Sequence, residues 1–278
     1  MSVTVHSSHP LDAPFRAVCA NARGEGAEFG FAGIDTAGAG DLPQRFSAWL
    51  PGNQPAARLA TLREWKRQGR KFRFFFPERH YAPAREGHAL FTGGHLGTPI
   101  GLLVKVQAHP DFLLHPERRG EACAWLDEPV LNRIPLAVWM QGPVADVRVM
   151  TSAVDGADIH VVMLRHTAPA RHTIFELSVS PLLFHGAAPA VRDRIEATGS
   201  DGFLRVTGIW QEAVHAPRLE VHRAATDFVQ RDLRRDFAQV YEHAAAQWPN
   251  DDSKSSYALA EAYLDACLKI AGQHARRP

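Results

Sequence analysis

Three features of this 278-residue chain predict an α+β protein with an antiparallel or mixed β-sheet core and a C-terminal αα-hairpin. Strand-like runs succeed one another through the middle of the chain. Asp155–Gly156 sits between two of them as a tight turn would. From residue 226 onward the apolar residues recur at helical spacing, so strands in runs are followed by helices.

Residues 1–14 read as an arm with little to bury. Between Phe15 and Gly52, seven glycines divide short apolar pieces such as FRAVCANA and FGFAGI. They predict two short strands joined at Arg23–Gly26, then a flexible loop through TAGAGD anchored by Phe46, Trp49 and Leu50. A helix begins near Asn53 with Pro55 in its first turn, turns Leu59, Leu62 and Trp65 to the core, and ends at Gly69. KFRFFFP alternates as a strand until Pro77 stops it.

HALFTG and IGLLVKVQA then predict a hairpin across GHLGTP, the second strand being central because it is almost continuously apolar. Residues 109–145 contain five prolines and predict a meandering connection with one short helix and a strand at Pro135–Met140. VADVRVMTSAVDGADIHVVMLRHT reads as a second hairpin and HTIFELSVS as its third strand. APAVRDRIEATG reads as a short amphipathic helix, and FLRVTGIWQEAV and LEVHRAA as further strands. Thr226 caps a helix carrying Val229, Leu233, Phe237, Val240 and Ala244; a second presents Leu259, Tyr263, Cys267 and Ile270 and stops at Gly272. The expected organisation is a mainly β domain over 1–225 with one or two inserted helices, and a helical hairpin over 226–278 packed on it.

Composition narrows the function classes. The chain is 45% hydrophobic and 22% charged, as globular proteins are, and no apolar run is long enough to suggest a membrane span. The N-terminal residues lack a secretory pattern, and Cys19, Cys123 and Cys267 form neither a disulfide framework nor a Cys-x-x-Cys pair, so a cytoplasmic protein is expected. His80, His88, His95, His109 and His115 fall close in sequence with Asp111 and Glu117, but none has the spacing of a metal motif, and no metal is expected. Asp155, Asp158 and His160 surround a turn whose geometry accounts for them. There is no Gly-x-Ser-x-Gly elbow. The Gly24–Gly30 and TGGHLG segments match neither a dinucleotide fingerprint nor a phosphate loop, so no cofactor is expected.

One stretch stands out. The net charge is only +1, yet residues 61–120 hold eleven basic and five acidic side chains. The core of that excess is REWKRQGRKFRFFFPERHYAPAR, in which Arg63, Lys66, Arg67, Arg70, Lys71, Arg73, Arg79 and Arg85 are interleaved with aromatics. Alternation assigns Trp65, Phe72, Phe74 and Phe76 to the interior and leaves Phe75 and Tyr81 beside the cations. Cations for phosphate and flat rings for bases predict a nucleic-acid-binding or assembly subunit. The expected partners are nucleic acid, other proteins or a second copy, and no membrane. Two alternatives stand beside it: a small-molecule enzyme, for example a histidine-dependent hydrolase with a pocket near residues 80–115 and His160, and a structural subunit of a hetero-oligomer.

Overall fold

The computed structural model describes residues 3–5, 29–33, 45–113, 118, 121, 123–128, 131–184, 191–207, 218–223, 228–232 and 253–274. Four parallel strands, β1 (Val3–Val5), β2 (Phe29–Gly33), β3 (Arg45–Trp49) and β4 (Lys71–Phe74), lie side by side in chain order. Parallel neighbours cannot be joined by a tight turn and need a crossover. Between β3 and β4 the crossover is helix α1 (Pro55–Arg67), which starts on proline, buries Leu62 and Trp65, and carries Lys66 and Arg67 in its last turn. Gly69 follows at φ 67°, the left-handed position glycine takes most readily.

Two expectations change here. Val3–Val5 is a sheet strand and not part of an arm, and Phe46 and Trp49 lie within β3 and not at the end of a loop. β3 is flanked by β2 and β4, and Phe46, Ala48 and Trp49 are all buried, so no alternation marked it.

After β4 come a short helix, α2 (Pro77–His80), and α3 (Ala82–Thr92). The expected HALFTG strand is therefore helical: Pro83, Ala84, Gly87 and Phe91 are buried, and the last three are spaced by three and four. The chain then builds β5 (Pro99–Ala108), helix α4 (Ile134–Gln141), β6 (Val144–Val154), β7 (Ala157–His166), β8 (His172–Val179), β9 (Val191–Gly199), β10 (Gly202–Thr207), β11 (Arg218–Arg223) and β12 (Phe228–Asp232). It closes on helix α5 (Ser253–His274).

These eight strands form a mixed sheet in the order β12-β11-β10-β9-β5-β8-β7-β6, antiparallel except where β5 runs parallel to β8. The α+β class, the mixed sheet and the C-terminal helix are as expected. The β6–β7 hairpin turns at Asp155 (φ 49°) and Gly156 (φ 75°), the paired positive φ values of a tight hairpin turn.

Three further expectations fail for identifiable reasons. Pro135–Met140 lies in α4, where nearly every residue is buried, so a helix buried all round shows no period. Residues 191–199 are strand β9: Val191, Asp193, Ile195 and Ala197 face inward while Arg192 and Arg194 face out, and the buried Asp193 disguised the alternation. Residues 228–232 pair with β11, so the helix expected from Thr226 does not begin there; the rest of that stretch lies outside the described residues. α5 also continues through Gly272 to His274.

Helices cover one face of the large sheet. α3 lies on β9, β10 and β11, α4 on β5 and β8, and α5 on β6; α5 also packs against α1, α4 and β4. Among the described residues no helix covers the opposite face. Among the described residues no helix is long and apolar enough to cross a membrane.

Candidate functional site

In sheets of parallel strands, ligands gather beyond the carboxyl ends of the strands, because loops and helix starts converge there. β3 ends at Trp49 and runs into Leu50-Pro51-Gly52-Asn53. The Gly52 N–H donates to the Leu126 carbonyl at 2.9 Å. A Cβ on Gly52 would lie 2.9 Å from Leu126 Cβ and Tyr263 Oη and 3.0 Å from Cys267 Sγ, so only glycine lets α5 and the 124–127 turn come this close. Tyr263 Oη donates to the Leu50 carbonyl at 2.9 Å and accepts from Asn132 Nδ2 at 2.9 Å. Asn132 Nδ2 also donates to the Leu126 carbonyl at 2.6 Å, and its Oδ1 accepts from the Ile134 N–H at 3.0 Å.

Outside this dry wall lies a polar cluster. Asp127 is buried; its carboxylate accepts from the Asn53 N–H at 2.9 Å and from Arg118 Nη1 at 2.7 Å. Arg118 Nε also donates to Glu121 at 2.9 Å, and Arg58 Nη2 donates to Asn53 Oδ1 at 2.8 Å. Burial raises the Asp127 carboxyl above its ordinary range, with Arg118 opposing the shift but not cancelling it. The neighbouring thiols are poor nucleophiles: burial pushes Cys123 up to about 11 and Cys267 up as well. This group was not anticipated from the sequence. Its members come from two stretches far apart in the chain, 53–58 and 118–127, and Asp127 sits in a run with no periodicity.

The histidines do not converge. His80 stacks on Phe75 with ring centres 5.3 Å apart, His88 lies flat on Trp139 at 3.8 Å, and His109 sits 3.4 Å from Asp111. His95 is exposed, and His115 lies outside the described residues. Among the described residues no three His, Cys, Asp or Glu side chains are grouped to hold a metal ion.

His160 is buried beside Trp125, its Nδ1 3.3 Å from Thr151 Oγ1, and burial depresses it from 6.5 to about 4. The unfolded chain thus takes up this proton first as pH falls. Stability is expected to drop from about pH 6.5 to about pH 4, by up to about 3 kcal/mol from this residue. Urea unfolding across that range should show His160→Gln flattening the slope; an unchanged slope would refute it.

The basic-aromatic stretch is divided between surface and core. Arg63, Lys66, Arg67, Arg70 and Lys71 border solvent, but Arg67 pairs with Glu64 at 2.6 Å, Lys66 with Glu261 at 3.0 Å, and Arg70 Nε donates to Gln68 at 2.8 Å. Arg73 is buried, Arg79 Nη1 reaches the Phe74 carbonyl at 3.4 Å, and Arg85 is partly buried. Phe75 and Tyr81, the rings expected beside the cations, are 1% and 4% exposed. Phe75 is buried because both sides of the chain are covered here: Phe72, Arg73 and Phe74 are all buried, and the Phe75 N–H still donates to the Ala48 carbonyl of β3 at 3.0 Å.

No family model matches the chain, and no curated protein matches it. Solved structures do. An NAD-binding oxidoreductase from Klebsiella pneumoniae superposes with a TM-score of 0.67 at 12% identity, over 100% of this chain and 79% of that one. An oxidoreductase from Agrobacterium radiobacter, in complex with NAD+, L-tartaric acid and magnesium, gives 0.61 at 15% identity, over 84% and 71%. A probable dehydrogenase from Thermotoga maritima gives 0.60 at 16%, over 95% and 82%. These neighbours overturn the nucleic-acid reading of the 63–85 stretch and the partner expected with it; the buried rings and paired cations agree with that correction. The chain has the fold of these oxidoreductases.

Proposed function

We propose that this chain is a small-molecule enzyme that holds its substrate against Asn53, Arg118 and Asp127 at the carboxyl end of β3. The observation that carries this reading is the Asp127 carboxylate, buried at that strand end and raised in proton affinity by burial. A carboxylate so placed is a stronger base than an exposed one and suits proton abstraction from a hydroxyl or an activated carbon. Arg118, one-quarter to one-third exposed, supplies a cation for an oxyanion on the same substrate. Arg58 holds the Asn53 side chain in place.

The neighbouring structures that bind NAD raise the question of a dinucleotide here. The residues at the ends of β3 and β4 do not fit one. Tyr263, Cys267 and Leu126 fill the space over Gly52, and Phe75 and Phe76 are buried directly after β4. No G-x-G-x-x-G occurs anywhere in the 278 residues, so the fingerprint that lets a backbone approach a pyrophosphate is missing from the sequence. No step is therefore routed through a dinucleotide.

The test is a panel of small hydroxy acids, keto acids, sugars and polyols, with NAD+ and NADP+ as a separate arm. A panel member should raise the melting temperature and, in D2O, lose a carbon-bound proton signal with the protein present. Asp127→Asn is expected to keep the thermal shift and slow the exchange by about 100-fold or more. Exchange at the wild-type rate in that variant, or no ligand in the panel, would overturn the reading.

A further inference from the structure

The open face of the large sheet contains a cavity of about 270 Å³ at its β6–β7–β8 end. Its lining includes Asp146 and Arg148 on β6, Met163 and Arg165 on β7, and His172 and Ile174 on β8. Register explains the grouping. Asp146, Arg165 and His172 form one row across the three strands, and Arg148, Met163 and Ile174 form the next. Side chains two residues apart on a strand share a face, so all six project to the same side. Gly101 of β5 lies opposite His172, and a Cβ there would be 3.2 Å from His172 Nε2, so glycine leaves room for the ring to lie over the neighbouring strand.

An uncovered antiparallel face ordinarily shows charges paired with one another or with water. That is what the rest of this face does. Lys105 lies 3.4 Å from Glu176; Arg205 lies 2.6 Å from Glu196 and 3.2 Å from Glu220; and Arg194 also pairs with Glu196. Around the cavity the pattern breaks. Among the described residues neither Arg148 nor Arg165 has a carboxylate within salt-bridge distance, although Asp146 is directly opposite Arg165 in register. The cavity lining that these two arginines share is mostly apolar, and Met163 is 47% exposed on it.

We infer that this cavity is a binding site, separate from the Asp127 cluster, for a small organic anion with an apolar body. The carboxylate or phosphate of such a ligand lies between Arg148 and Arg165, with His172 as a further polar contact, and its hydrocarbon part rests on Met163 and Ile174. Arginine suits this role because its planar fork meets an oxyanion with two parallel N–H donors.

The chain has four methionines, so methyl-¹³C-methionine labelling gives a short spectrum in which Met163 reports the cavity and the buried Met140 serves as the internal control. Benzoate and phenyl phosphate are the anionic probes and benzyl alcohol the neutral one. Both anions are expected to shift the Met163 methyl saturably and leave Met140 unmoved, with benzyl alcohol much weaker. The double variant Arg148→Ala/Arg165→Ala changes only exposed side chains, and its Met140 signal verifies folding. It should weaken anion binding on the order of tenfold or more. An unmoved Met163 signal, equal response to benzyl alcohol, or undiminished affinity in the double variant would each overturn the inference.

Discussion

Replacing Glu78 with alanine is expected to destabilise the protein by about 3–5 kcal/mol. Glu78 Oε1 and Arg133 Nη1 lie 3.1 Å apart with side chains 2% and 0% exposed, one at the start of α2 and the other just before α4. Both charges have been removed from water, and their attraction offsets that cost only while both are present. Deleting the carboxylate takes a counter-charge away from a buried guanidinium. The pair as a whole is a different matter, because apolar groups of similar volume avoid the desolvation cost altogether. Glu78→Leu combined with Arg133→Met should therefore recover most of the stability lost in Glu78→Ala. Urea unfolding of the three proteins decides this. A single variant within 1 kcal/mol of wild type, or a double variant worse than the single, would show that the pair is not held together by mutual compensation of two buried charges.

Trp65→Ala should cost a comparable amount, about 3–5 kcal/mol. Trp65 is 1% exposed, meets Phe46 edge-on at 4.8 Å and lies 5.7 Å from Phe72. The loss combines the burial of a large ring with a cavity that three surrounding elements cannot close. Arg67→Ala, two residues away on the exposed side of the same helix, should leave stability essentially unchanged, since its Glu64 partner is also at the surface. The contrast tests the division of the basic-aromatic stretch into core and surface. A mild Trp65→Ala would mean that this face of α1 is not packed as described.

How much of this was legible in the sequence depends on how far burial was one-sided. α1, the β6–β7 hairpin, β8, β10, β11 and α5 each expose one face, and that contrast leaves a period to read, while β5 was legible as a nearly continuous apolar run. Pro55 and Gly69 marked the ends of α1, and Asp155–Gly156 marked the hairpin, because each answers a local backbone demand. Where burial was nearly complete, as in β3 and α4, the period disappeared. Where one polar residue faced inward, as with Asp193, it pointed to the wrong element.

The site was less legible for a different reason. Arg118, Asp127, Asn53 and Tyr263 are brought together by tertiary structure alone, and no spacing in the chain records it. The strongest compositional signal, the cations and rings of 63–85, was one feature in the sequence and two in the fold. Trp65, Phe72 and Phe74 build the interior, while Lys66 and Arg67 find acidic partners on the surface.

Helix α5 touches α1 and β4 on one side and α4 and β6 on the other. The Tyr263 hydroxyl reaches Leu50 beside the parallel sheet, and Lys269 Nζ donates to the Val144 carbonyl at the start of β6, 2.6 Å away. Neither sheet can part from the other without stripping a flank of this helix. Among the described residues, α5 therefore works as a clasp between the two sheets, so a substitution that loosens its packing should be felt on both of them at once.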